Sequence, residues 1–336
     1  MLKFEFGEKN LGDLEKEVIY NDLCTGCGAC AAFCHKYIEM VDNIPTAISR
    51  CLTPCGLCYS VCPRTYVSLK ALDQFTFGEN REDQALGYYK KIVLAKPKGK
   101  KDPVVEKAKA GVLTSLLNAA MDLKLIDSAV LAKSIDPKDR WKAAPFMAKN
   151  KKEIAKGMEG RTNASPQMTG VAEAIAMGKD KIAMVGVPCQ MIALRKVQSN
   201  KDYEVCQEKI TFALANSCIR ARHDGCASCL DMTAELSDIS VDPTVGKEGW
   251  NTVIIRSEKG LDVFEKAVEA GYLETQEISD EVMGKLKTAS ERKLKKNLKT
   301  ILDNTDYLKL SYLLADPTEL ATLLKLLKSE DDNKEA

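Results

Sequence analysis

From about Tyr88 onward, apolar and polar positions fall into alternating strand-like and helix-like blocks. KKIVLAKP reads as a short strand, and GVLTSLLNAAMDLKLID carries apolar residues at helical spacing behind a glycine at its start. IDSAVLAKS reads as the next strand, VAEAIAMG as a helix, and KIAMVGVPC as a buried strand that ends in a glycine and proline turn. This alternation predicts an α/β (α+β) domain with cofactor-binding loops at strand ends. After about Ser279 the chain turns helical and apolar in patches, as in YLKLSYLLADPTELATLLKLLK, and its end, SEDDNKEA, reads as disordered. An amphipathic tail of this kind either covers its own domain or docks a partner.

Composition narrows the function classes. The 336 residues are 45% hydrophobic and 29% charged, enough apolar surface for a small module and one larger domain. With 49 basic and 48 acidic residues there is no field that would recruit nucleic acid. No stretch of ~18 uninterrupted apolar residues occurs, and the N-terminus carries acidic residues throughout with no signal-peptide core, so the expected setting is cytoplasmic with no direct membrane insertion.

Thirteen cysteines without a secretion signal point to metal ligation rather than a disulfide framework. Eight lie between Cys24 and Cys62 and five between Cys189 and Cys229. CTGCGACAAFC spaces Cys24, Cys27, Cys30 and Cys34 with two, two and three intervening residues, and CLTPCGLCYSVCP spaces Cys51, Cys55, Cys58 and Cys62 with three, two and three. Three thiolates at the closest spacing wrap one face of a cubane cluster, and the fourth of each run reaches the other cluster. The expected ligand sets are therefore Cys24, Cys27, Cys30 and Cys62, and Cys51, Cys55, Cys58 and Cys34. Gly26, Gly28 and Gly56 suit backbone that must approach inorganic sulfide. Paired zinc knuckles are the rival reading, but zinc sites place a longer spacer between two cysteine pairs. His35, where ferredoxins place a proline, is expected to be an ordinary loop residue.

In the second group Cys189 follows a strand in GVPCQ, Cys218 closes ITFALANSC, and Cys226 and Cys229 form a CxxC in GCASCLD. Four ligands fit a third cubane cluster, and a zinc site has the same ligand count. Cys206, in the polar stretch KDYEVCQEK, is read as a thiol without a ligand role. A loop at Lys109, Ala110 and Gly111 opening a helix offers amides to an anion such as a pyrophosphate, although a glycine there also serves as a plain cap. GRTNASPQ, from Gly160 to Gln167, is polar as ligand loops and ordinary loops both are.

Taken together, the paired cysteine runs, KAGVLTSLL, GRTNASP, KIAMVGVPCQMIALRK, GCASCLDMTAELSDIS and EGWNTVIIRSEKG resemble the family of beta subunits of coenzyme F420-dependent hydrogenases and dehydrogenases, over about Ile19 to Leu273. Among its members the chain looks most like the electron-input component of F420H2 dehydrogenases. The resemblance implies FAD in the middle domain, a third [4Fe-4S] cluster beside it, and oxidation or reduction of the deazaflavin coenzyme F420. It implies flavin-lining positions at Gly111, Val112, Thr114, Thr162, Asn163, Ser165 and Pro188, and no residue with an acid, base or nucleophile role. Asp238 and Arg256 match the family pattern and also read as structural pairing at strand ends. Two features depart from the family: Lys109, Ala110 and Gly111 stand where a Gln-Asp-Gly-Gly sequence is usual, and the excursion between third-cluster cysteines is cut to IRARHDG. His223 in that short loop either faces the third cluster or lies in solvent.

The implied organisation is an N-terminal extension over 1–18, a two-cluster ferredoxin-like module over 19–75, a flavin domain over 85–275 and a helical extension over 276–336. The implied function is hydride transfer between reduced F420 and FAD, with single electrons relayed through three [4Fe-4S] clusters to or from ferredoxin or a larger redox complex. The rival is electron transfer between ferredoxin and a partner enzyme, such as a carbon monoxide dehydrogenase, heterodisulfide reductase or hydrogenase, without F420 chemistry. The basic runs KKIVLAKPKGKK and KLKTASERKLKKNLK would attract the polyglutamate tail of the deazaflavin, FAD phosphates or an acidic partner, while a solvated helix face is the plainer expectation for the second.

Overall fold

A computed structural model describes residues 9–98, 111–219, 222–303 and 317–331. The chain opens with a short helix, α1 (Leu11–Leu14), whose Asn10 cap accepts from the Gly12 amide, and a π turn at Glu15–Ile19. Then come α2 (Ala29–Phe33), a hairpin of β1 (Ile38–Val41) and β2 (Ile44–Ala47), α3 (Leu57–Ser60) and α4 (Leu69–Phe77). Both α2 and α3 start on a left-handed glycine, Gly28 at φ 83° and Gly56 at φ 67°, so each cysteine run turns sharply into its helix. Leu11, Leu14 and Val18 pack with Leu23, Ile38 and Tyr59 and with the cysteines, so the helical stretch before Ile19 shares the core of this cysteine-rich module.

The remainder is built on one eight-stranded mixed sheet. In chain order its parts are β3 (Lys91–Pro97), α5 (Val112–Asp122), β4 (Ser128–Asp136), β5 (Asp139–Ala148), α6 (Lys151–Gly157), α7 (Gln167–Ala176), β6 (Ile182–Gly186), α8 (Pro188–Ser199) and α9 (Glu204–Lys209). They continue through β7 (Ile210–Asn216), β8 (Ile239–Asp242), β9 (Asn251–Ile255), α10 (Glu258–Glu269) and β10 (Leu273–Glu277) to α11 (Asp280–Asp303) and α12 (Pro317–Asp331). The strand order is β10-β3-β9-β8-β7-β6-β4-β5, with β4, β6, β7 and β8 parallel and β5 and β9 antiparallel to their neighbours. The predicted strands and helices of the middle region fall on β3, α5, β4, α7 and β6. The antiparallel β5, β9 and β10 make the sheet mixed.

Both faces are covered, which is why the central strands read as unbroken apolar runs. Leu113, Leu116 and Leu117 of α5 and Phe264 and Ala267 of α10 pack on Leu131, Val185, Leu214 and Val253. On the opposite face, Met168 and Val171 of α7 and Leu194 and Val197 of α8 pack on Val130, Met184 and Ala213, and Cys27, Ala29, Val61 and Leu72 join that same core. The cysteine module is thus held on the sheet through α7 and α8. The C-terminal helices lie on their own chain, with Leu294, Leu298, Ile301 and Leu323 in one apolar cluster beside Leu230. Of the end read as disordered, Ser329–Asp331 are helical and 332–336 fall outside the described residues, as do 304–316.

Candidate metal centres and cofactor cavity

Three groups of four thiols stand in a row. Cys62, from the second run, shares a small cavity with Cys24, Cys27 and Cys30, closed by Leu14, Val18, Met40 and Pro45. Burial pushes the Cys24 thiol up to about 11, with Cys62 adding to the rise, and burial followed by Cys62 pushes Cys27 and Cys30 well up. Outside this group, Cys34, Cys51, Cys55 and Cys58 form the second: burial raises Cys34, helped by Cys51 and Cys55, and carries Cys58 up to about 12, helped by Cys34, Cys55 and Cys51. Cys55 is exposed, so this group lies outermost.

The third group gathers at the carboxyl edge of the parallel strands. Cys189 opens α8 directly after β6, Cys218 follows β7, and Cys226 and Cys229 sit on and after a 3-10 turn at Asp224–Ser228. Burial raises the Cys189 thiol, and Cys229, Cys218 and Cys226 raise it further. This edge is where open α/β sheets bind ligands. The groups are in electrostatic reach of one another through Cys58 and Cys62 on one side and Cys27 and Cys189 on the other. Cys206 is apart from all three, fully buried among the apolar residues of α8 and α9.

Such crowded, buried thiols cannot all ionise without a cation between them, which is the donor chemistry a cluster requires. Among the described residues no three His, Cys, Asp or Glu side chains converge as a single-ion site requires. The loops are shaped for close approach: Gly26 has φ +63°, and a Cβ there would stand 2.7 Å from His223 Nε2 and 2.8 Å from the Asn43 carbonyl. Backbone amides of Gly26 and Arg64 point at the sulfurs of Cys24 and Cys62, both at 3.4 Å.

Buried cations brace the row. Lys196 of α8 donates to the carbonyl of Cys62 at 2.5 Å, to Thr65 Oγ1 at 2.9 Å and to the Tyr66 carbonyl at 2.8 Å. Burial lowers its pKa to about 7 against the pull of Cys62 and Cys27. Arg64 reaches from the cysteine module to the carbonyls of Ser228, 3.1 Å, and Gly225, 2.6 Å, in the third group's turn. Lys293 of α11 donates to the carbonyls of Cys218 and Asp231, both at 2.6 Å, and Asn297 to those of Cys226, 3.2 Å, and Cys229, 2.6 Å. The second basic run is therefore not a uniformly solvated face.

A cavity of about 460 Å³ opens onto the third group, takes in the space between its four thiols and extends from there towards α11. Its wall holds Asn163 and Pro188 together with Cys189, Cys218, Cys226, Cys229 and Thr244. The loop carrying Asn163 is fastened to α8 by Gln190, whose Nε2 donates to the carbonyls of Thr162, 3.1 Å, and Ser165, 2.8 Å. Of the other candidate flavin positions, Val112 and Thr114 are buried within α5 and Ser165 is buried with its hydroxyl donated to Gln167 Oε1 at 3.1 Å. Thr162 lends its carbonyl to Gln190, and Gly111 is the exposed N-cap of α5. Lys109 and Ala110 lie outside the described residues.

His223 neither faces the third group alone nor lies in solvent: it is half-buried, packed on Gly26 of the first group's loop. Asp238 and Arg256 are structural. Asp238 accepts from the Ala213 amide at 2.8 Å and Ser257 Oγ at 2.7 Å and pairs with Arg195 at 3.2 Å, while Arg256 donates to the carbonyls of Leu86 and Tyr88, both at 2.6 Å. Sequence reasoning passed over Lys196, Lys293 and Asn297. A lysine seven residues after Cys189 on an apolar helix, and a Lys-Asn pair four apart flanking Leu294, were the available signals.

Two family descriptions match the chain: the N-terminal segment of coenzyme F420 hydrogenase/dehydrogenase beta subunits over residues 99–171, and the C-terminal segment over residues 216–281. Over both segments the chain is similar to these beta subunits. It is 25% identical to a coenzyme F420-dependent sulfite reductase of Methanocaldococcus jannaschii over 87% of the chain, and spans 52% of that relative's length. It is 25% identical to one of the subunits of the F420H2 dehydrogenase of Methanosarcina mazei, covering 80% of the chain and 90% of the relative. Its fold matches a chain of the F420-reducing [NiFe] hydrogenase complex of Methanosarcina barkeri with TM-score 0.60 and 26% identity, over 67% of this chain and 96% of that one. No helix among the described residues is long and apolar enough to cross a membrane.

Proposed function

We propose that this protein is an iron-sulfur flavoprotein that exchanges hydride with coenzyme F420 and passes single electrons along three [4Fe-4S] clusters to or from a ferredoxin or a larger redox complex. The observation that carries the reading is the row of three four-thiol groups whose inner end opens on a cavity at the carboxyl edge of the sheet. When bound, FAD would supply the conversion of a hydride's electron pair into single electrons, which clusters take up one at a time.

The chain's own residues provide positions and charge. Cys24, Cys27, Cys30 and Cys62 would hold the middle cluster, Cys34, Cys51, Cys55 and Cys58 the outer one, and Cys189, Cys218, Cys226 and Cys229 the one beside the flavin. Lys196, Arg64 and Lys293 offset the negative charge that thiolate-bound clusters bring into a low-dielectric interior. Asn163 and Pro188 wall the cavity, and Gln190 keeps their loop in place. Lys293 and Asn297 hold α11 against the third group, which limits water there.

Similarity to this F420-linked family supports the deazaflavin as reaction partner, and the exposed Cys55 supports the outer group as the exit to a redox partner. Anaerobically prepared full-length protein tests this by deazaflavin-linked viologen reduction. Turnover with reduced F420 is expected. Bound FAD with no F420-dependent reduction would overturn the deazaflavin part of the reading.

A further inference from the structure

The cavity beside the third thiol group has a charge pattern that the family assignment does not explain. Among the described residues its lining includes Arg292, Lys293 and Lys296 and contains no Asp or Glu. All three cations come from α11, which begins at Asp280 and lies almost wholly beyond the family-matched segments. Ala289, Arg292, Lys293, Lys296, Asn297 and Thr300 recur at helical spacing and form one stripe toward the cavity, while Leu294, Leu298 and Ile301 pack into the apolar cluster on the other side.

The three cations are not equivalent. Lys293 is committed to the carbonyls of Cys218 and Asp231 and, with Asn297, pins the helix onto the third group. Arg292 and Lys296 flank it on the same stripe, are exposed, and have no ion-pair partner among the described residues. Two exposed cations lining a cavity, without an ion-pair partner among the described residues, raise the local potential for an anion, and a planar guanidinium beside a flexible ammonium suits a phosphate ester.

We infer that Arg292 and Lys296 form an anion subsite that holds the phosphate-bearing arm of the redox cofactor or substrate occupying this cavity. The inference rests on the reading of the cavity as the flavin and deazaflavin site. Two sources share the chemistry: the pyrophosphate of FAD, and the phosphate and glutamate arm of the deazaflavin. The subsite makes α11 a wall of the binding site as well as a cover for the thiols.

The test compares the full-length, anaerobically prepared protein with the R292Q/K296Q variant, both exposed positions, and with Lys299→Gln, an exposed lysine of the same helix outside the cavity. Dissociation constants are measured for FAD against riboflavin, for F420 against its phosphate-free deazariboflavin core, and for inorganic pyrophosphate alone. The double variant is expected to weaken the phosphate-bearing member of one pair by about tenfold or more while leaving its phosphate-free analogue unchanged, with Lys299→Gln neutral. The pair that moves identifies the source.

Equal weakening of both members of each pair, or no weakening of any, would overturn the subsite. Should the wild-type protein bind neither flavin nor deazaflavin, the cofactor reading fails on its own, and pyrophosphate decides the subsite. Weaker pyrophosphate binding in the double variant alone keeps it, and absent or unchanged pyrophosphate binding ends it.

Discussion

Lys293 donates its ammonium to the carbonyl oxygen of Cys218 at 2.6 Å, tying a helix near the C-terminus to the innermost thiol group. Burial alone would lower the pKa of Lys293, but Cys229, Cys218 and Asp231 outweigh it and the pKa is raised. A fixed positive charge beside a cluster favours its reduced form. Lys293→Met is therefore expected to lower the reduction potential of the third cluster by roughly 60 mV or more, the one-electron equivalent of a tenfold change. An EPR-monitored redox titration reads it, and an unchanged potential would refute the role.

The pairing of thiols across the two runs makes a sharper distinction. Cys62→Ser is expected to disturb the cluster of Cys24, Cys27 and Cys30, and Cys34→Ser the one of Cys51, Cys55 and Cys58, each reducing iron content by up to about four atoms per chain. Cys206→Ala leaves iron content unchanged, because Cys206 is enclosed in the core away from all three groups. Iron analysis with EPR of each variant separates this arrangement from one in which each run serves a single cluster.

Much of this was legible in the sequence, and for identifiable reasons. The proposed cluster ligands come at short fixed spacings, so the thiols that the structure brings near one another could be read from the two runs and from GVPC, NSC and GCASC. The sheet's central strands are buried on both faces and read as apolar runs. Lys196, Arg64 and Lys293 were not legible as bracing the thiol groups, because nothing in a local pattern marks a cation that folds inward onto carbonyls far away in sequence. The flavin positions were read from motifs, and burial divides them: Asn163 and Pro188 reach the cavity, whereas Val112 and Ser165 serve the interior. The same limit applies to His223, whose place on Gly26 depends on two loops nearly two hundred residues apart.

Arg81 joins the linker after α4 to the segment after the third group: it pairs with Asp73 at 2.5 Å and with Glu235, and all three side chains are buried. Burial, partly countered by Arg81, pushes the Glu235 carboxyl up to about 8. Arg81→Met leaves the buried carboxyl groups of Asp73 and Glu235 without their cation, and a loss of about 3–5 kcal/mol is expected. Denaturant unfolding measures it, and adding Asp73→Asn and Glu235→Gln to the variant should recover part of the loss.

Asp238 is fully buried, and burial favours its neutral form. Arg195, Lys259, Ser257 and the Ala213 amide outweigh that, so its pKa lies below the ordinary carboxylate value. Its stabilising contribution is thus present above the unfolded value of about 3.9 and is lost as pH falls through the lower folded value. Asp238→Asn should lower the melting temperature at pH 6, and the gap to wild type should narrow between pH 5 and pH 3. A gap that stays constant across that window would show that the ionised carboxylate is not what stabilises this junction.

The most direct test of the account is the cofactor content of the full-length protein purified without oxygen. Three clusters and one flavin require about twelve iron atoms, about twelve acid-labile sulfides and one FAD per chain. A colourless protein carrying zinc as its sole metal would contradict it.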